Sequence, residues 1–203
     1  MPRRMGRRGD GPGARRPLAA AAVAGAVAGR AASAQRDDGV AGTRYQMRQR
    51  MLAIGDDFFI TDDQGHRAFK IDGKLLRVRS TLMFEDANGQ QLYKIQEKLL
   101  RVRESMTIER VDGSAAAKVH NALITPLRDR WTINVPGGAD LRAQGNILQH
   151  EYRIERDAAA VATVSKRWFR IRDSYGVEIA PGHDDALILA ITVVIDMMAH
   201  EGR

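Results

Sequence analysis

The chain of 203 residues has no cysteine, only 5% aromatic residues and six prolines, and no apolar run long enough to cross a bilayer as a helix. Without cysteine there are no disulfides, no thiolate-ligated metal and no cysteine nucleophile, which fits a cytoplasmic protein. No serine sits in a Gly-x-Ser-x-Gly elbow and no glycine-rich phosphate loop follows a strand pattern. Nothing therefore recommends an enzyme, and no cofactor is expected. The five histidines, His66, His120, His150, His183 and His200, show no metal-ligand spacing. The one close group, His183-Asp184-Asp185, reads better as helix capping than as a metal site.

Charge of one sign is in excess, but only locally. Of the formal net charge of +7, residues 1–43 supply +5, from eight arginines against Asp10, Asp37 and Asp38, so the rest carries only +2. Residues 1–43 are Ala, Gly, Arg and Pro in low-complexity order. They bury too little apolar surface to offset the entropy of ordering, and a disordered extension is expected. Arg15-Arg16, the run Leu18–Gly29 and Ala32-Ser33-Ala34 imitate an export signal, but Arg30 puts a charge between the apolar run and the small residues of the cleavage-like Ala32-Ser33-Ala34. Export remains the minority alternative. Because the part that folds is nearly neutral, bulk charge is a weak argument for nucleic-acid binding, which would have to use the arginine tail.

What is present is a stretch with no polar face, Asp184–His200, DDALILAITVVIDMMAH. From Ala186 to Ile195 only Thr192 interrupts the apolar run. A helix apolar all round must be surrounded on every side. Lipid would require roughly 18 or more residues, so protein has to surround it and no transmembrane span is expected. Asp184 is the expected N-cap, and Asp185 opposes the positive end of the helix dipole. Asp196, a carboxylate on a buried helix, must either meet a basic strand residue or emerge at the mouth of whatever encloses the helix.

The remaining sequence from Tyr45 reads as strands. Residues 70–79, KIDGKLLRVR, return as residues 94–103, KIQEKLLRVR, a near-copy 24 residues on. Each follows a polar turn, Asp62–Gly65 or Asp86–Gly89. A weaker third copy begins at Asp112-Gly113, with Ala117-Lys118-Val119 at the strand position. Alternation puts Leu76, Val78 and Ser80 on one face and Leu75, Arg77 and Arg79 on the other. Further strands are expected around Trp131–Val135, Leu141–Ile147, Glu151–Glu155, Ala158–Val164, Ser165–Arg172 and Val177–Ala180, giving about ten to twelve in all. That many strands need closure to remove their edges, and the helix needs walls. A mainly β protein, a closed antiparallel barrel of about 12 strands enclosing its C-terminal helix, satisfies both.

The paired KLLRVR segments at 74–79 and 98–103, the Asp173-Ser174-Tyr175-Gly176-Val177 turn, and Asp184-Asp185 opening the helix resemble the LURP-one-related family. The resemblance covers residues 44–203 and implies a tubby-like fold, a closed barrel around a hydrophobic C-terminal helix. It also implies kinship with tubby proteins and phospholipid scramblases, which are associated with phosphoinositide or membrane binding.

Two clusters are candidate anion sites. In the first, Lys166, Arg167, Arg170 and Arg172 surround Trp168 and Phe169, cations beside an amphipathic aromatic suited to lipid headgroups. Alternation would put Lys166, Trp168, Arg170 and Arg172 on one face, and the bland reading is a solvated basic strand. The second comprises Arg77, Arg79, Arg101 and Arg103, which acidic Glu85, Glu97, Glu104 and Glu109 are placed to neutralise. The functional expectation is a non-catalytic domain, cytoplasmic or peripheral at a membrane, that binds anionic phospholipid or another anionic partner on its outer surface. The alternatives are a small-ligand-binding barrel or an enzyme, and nucleic-acid binding through the tail. A protein partner is not legible.

Overall fold

In the computed structural model, residues 42–48, 57–72, 81–97, 105–125, 128–168 and 173–200 are described. Every described residue belongs to one compact unit, residues 37–203. Its strands are β1 (Thr43–Arg48), β2 (Phe58–Asp62), β3 (Arg67–Asp72), β4 (Thr81–Asp86), β5 (Gln91–Glu97) and β6 (Ser105–Arg110), followed by β7 (Ala115–Thr125), β8 (Arg128–Asn134), β9 (Leu141–Asn146), β10 (Glu151–Arg156), β11 (Ala159–Ser165) and β12 (Ser174–Ile179). Each pairs antiparallel with its sequence neighbours, and β1 pairs with both β2 and β12, which closes a twelve-stranded barrel. Closure leaves no strand edge among these elements.

The single α-helix among the described residues, α1 (Asp185–His200), fills the barrel. Ile188, Leu189, Ile191, Val193, Val194, Ile195 and Met197 are all buried. They pack against inward residues of the wall such as Ile60, Phe84, Ile108, Ile133, Ile154 and Val177. Burying those seven helix side chains is worth on the order of 10–20 kcal/mol before chain entropy is counted. Thr192 is buried too, and its hydroxyl donates to the Ile188 carbonyl at 3.0 Å, which satisfies it within the helix. Asp184 caps the helix as its position implied, accepting from the Leu187 N–H at 3.0 Å. Among the described residues no helix is long and apolar enough to cross a membrane.

The 24-residue repeat appears as three equivalent hairpin turns, including the weak third copy. Asp62, Asp86 and Arg110 each open a turn, donating backbone N–H to His66, Gln90 and Ser114. Gly65, Gly89 and Gly113 take φ of +85°, +82° and +82° at the position that needs the left-handed region. Each hairpin also carries a register shift just before its turn, after Ile60, Phe84 and Ile108. The Asp62 and Asp86 carboxylates clamp the backbone of their own turns. In the third turn Asp112 takes over this role by accepting from the Ser114 N–H and hydroxyl, which hold its carboxyl below the usual range.

Two of the acidic residues expected to neutralise arginines lie near lysines. Glu85 lies 3.5 Å from Lys70 and Glu109 3.9 Å from Lys94, the same cross-strand pair repeated 24 residues on. The Glu97 side chain and Glu104 are outside what the structure describes, as are residues 73–80 and 98–104, which include Arg77, Arg79, Arg101 and Arg103.

Candidate functional site

Strand alternation sorts the chain into two barrel ends. At one, the hairpin turns surround the start of α1, and the Tyr93 and Tyr45 hydroxyls donate to Asp184 and Asp185, both at 2.7 Å. Burial first, and then the carboxylate beside each, pushes both phenols above their ordinary range. At the other end α1 finishes at His200, and the ends of the odd-numbered strands and the starts of the even-numbered strands form the rim. The strand ends flanking all three basic segments, Asp72 and Thr81, Glu97 and Ser105, Ser165 and Ser174, belong to this rim.

Of the first cluster, Lys166, Arg167 and Trp168 are described, and they do not continue β11 as the expected alternating strand. They form a 3-10 turn. The reason is local capping. The Ser165 hydroxyl and Lys166 N–H both donate to the Glu151 carboxylate, at 3.0 and 3.1 Å, and the Arg167 N–H donates to the Ser165 hydroxyl at 3.2 Å. These bonds offer the backbone an alternative to the sheet ladder. Arg167 is left with a side chain 82% exposed, its guanidinium 3.9 Å from Glu151. Trp168 is half-buried, with the Arg44 guanidinium 5.0 Å from its ring; Arg44 also donates to the buried Glu178 at 2.8 Å. Beside the turn a depression of about 290 Å³ is lined by Gln144, Glu151, Arg153, Thr163, Ser165 and Arg167. Arg170 and Arg172 lie outside the described residues.

The sequence reading missed a buried polar cluster at the same end. His150, in the turn joining β9 to β10, brings Nε2 within 2.7 Å of Asp196 Oδ1. His200, one helical turn beyond Asp196, places Nδ1 at 3.3 Å from the same oxygen and at 2.8 Å from the Asp196 carbonyl. Asp196, expected to meet a basic strand residue or to emerge at the barrel mouth, is buried and meets a histidine from a turn and another from its own helix. The His150 ring lies 4.1 Å from that of Tyr175 and 5.6 Å from that of His200. Burial, and then the Asp196 charge, drives the Tyr152 and Tyr175 phenols well above their ordinary range. His150 Nδ1 and Tyr175 Oη are buried with no hydrogen-bonding partner among the described residues. One half of this cluster was legible, since Asp196 and His200 are four apart on a helix and share a face. His150, 46 residues earlier, arrives only through the barrel's closure.

No curated protein sequence matches the chain. The X-ray structure of a protein from Arabidopsis thaliana superposes with a TM-score of 0.60 at 15% identity, covering 80% of this chain and 94% of that one, a likeness of fold. The sequence profile of the LURP-one-related family matches residues 43–196, which span β1 through most of α1. The barrel threaded by its C-terminal helix is what the paired repeats and the apolar helix implied, and the chain belongs to the LURP-one-related family.

Proposed function

We propose that this domain is a non-catalytic, membrane-peripheral module that binds anionic phospholipid headgroups on the outer wall of the barrel, at the rim where α1 ends. The observation that carries the reading is the depression beside the 3-10 turn, lined by Arg153 and the exposed Arg167, with the amphipathic Trp168 following Arg167 in the same turn. The interior is occupied by α1, which directs binding to the outside and disfavours a carrier or enzyme using the lumen. Further support comes from connectivity, because the arginine-rich segments 74–79 and 98–103 join strands whose ends share this rim. Guanidinium groups suit phosphate through paired N–H donors. Glu151 is the opposing charge, and an incoming phosphate would have to draw Arg167 away from it.

The test is sedimentation of the full chain with vesicles of phosphatidylcholine alone or mixed with phosphatidylserine. The expected result is salt-sensitive binding to the acidic vesicles, lost in the double variant Arg153→Glu, Arg167→Glu. Equal sedimentation with both vesicle types overturns the reading. So does unchanged binding by the double variant, which would assign the attraction to arginines elsewhere in the chain.

A further inference from the structure

We propose that His150, Asp196 and His200 form a binding site for a single divalent transition-metal ion of the zinc class. The three residues offer one ligand atom each, all within 4.8 Å of one another. Two imidazoles and one carboxylate suit a borderline ion, whereas calcium and magnesium take oxygen-dominated sets.

The spacing is close to what such an ion requires. Ligands about 2.0–2.1 Å from a tetrahedral centre stand about 3.3 Å from one another. His200 Nδ1 is already 3.3 Å from Asp196 Oδ1, and His150 Nε2, at 2.7 Å, would move outward by roughly 0.6 Å as the ion replaces the hydrogen-bonded proton. The protons balance by tautomer exchange. In the ion-free cluster Nε2–H of His150 donates to Asp196, and Nδ1–H of His200 donates to the Asp196 carbonyl. On binding, the His150 proton passes to Nδ1, the atom with no hydrogen-bonding partner among the described residues, and the His200 proton to its other ring nitrogen.

The fold also aims these ligands. Asp196 and His200 project from adjacent turns of α1, which the barrel immobilises. His150 sits at φ +53°, a left-handed conformation uncommon outside glycine, in a turn closed by its own N–H to the Ile147 carbonyl at 2.9 Å. His150 and Asp196 are buried, with side chains 2% and 6% exposed, while His200 is 40% exposed. An ion would enter past His200, and a fourth position on that side would remain for water or an anion, the arrangement of open three-ligand sites. The site is independent of the lipid-binding reading.

The experiment uses the full chain, stripped with a chelator and titrated calorimetrically with zinc chloride. One ion per chain is expected, with affinity reduced about 100-fold or more in His200→Ala and unchanged in His66→Ala, which alters an exposed histidine at the opposite end. Cobalt(II) substituted into the wild-type protein gives an independent readout, a visible spectrum of tetrahedral type, which keeps the test decisive if His200→Ala folds poorly. Absence of zinc binding by the wild type overturns the proposal and leaves the cluster as hydrogen bonding alone. Binding that survives His200→Ala, or a cobalt spectrum of the hexa-aqua type, also overturns it.

Discussion

Replacing Asp196 by leucine removes the acceptor shared by His150 and His200 from a site where its side chain is 6% exposed. Removing one partner of a buried ion pair costs about 3–5 kcal/mol when the other charge is stranded. Here the group left behind is a hydrogen-bonding imidazole, and the cost that applies is that of an unsatisfied buried N–H, about 1–3 kcal/mol. Burial of the leucine offsets part of this, and the introduced methyl groups strain the packing by a similar amount. The net expectation is a loss of about 1–3 kcal/mol. At 2–4 °C per kcal/mol for a domain of this size, that is a fall in Tm of roughly 2–12 °C. Thermal and urea denaturation of the full chain, followed by circular dichroism, measure it. His150→Phe removes the other partner while keeping a ring against Tyr175, so the double variant strands no donor there. Its stability should exceed the additive sum of the single changes by about 1 kcal/mol or more. An Asp196→Leu variant as stable as wild type, or an additive cycle, refutes the buried pair.

Gly145→Ala should be severely destabilising. A Cβ at Gly145 would lie 2.6 Å from the Glu151 carbonyl and 2.7 Å from Tyr152 Cα, at φ +142°, so β9 and β10 would have to separate. A loss of about 1–3 kcal/mol or more is expected in urea denaturation, and wild-type stability would contradict the pairing of Gly145 with Tyr152. The four tyrosines, Tyr45, Tyr93, Tyr152 and Tyr175, all have phenols raised by burial first and nearby carboxylates second. The unfolded chain ionises them near pH 10 and the folded chain only above that, so their contribution is fully present below about pH 10 and is lost as pH rises further. Phenolate absorbance should therefore appear together with loss of the β circular dichroism signal. A normal titration around pH 10 with the fold intact would contradict this.

How far the sequence speaks is clearest at three places. The helix was legible because a segment with no polar face admits few environments, and the strand count supplied one of them. The repeat was legible as hairpins because Gly65, Gly89 and Gly113 keep the spacing that a left-handed turn position demands, even where the third copy has lost most other identities. By contrast, Lys166–Trp168 reads as an alternating strand until Ser165 and Glu151 are seen to cap its backbone, a contact between β11 and the start of β10. The histidine cluster was hidden for the same reason. Its members are joined across the barrel, and single-sequence spacing reports only neighbours along one element.

Hydrogen exchange across α1 tests the central claim, that the helix is the enclosed core of the barrel. Amides of Ile188–Met197 should exchange only with global unfolding, as slowly as the best-protected amides of β12. Exchange of the helix by local opening, while the strands remain protected, would contradict a helix walled in on every side.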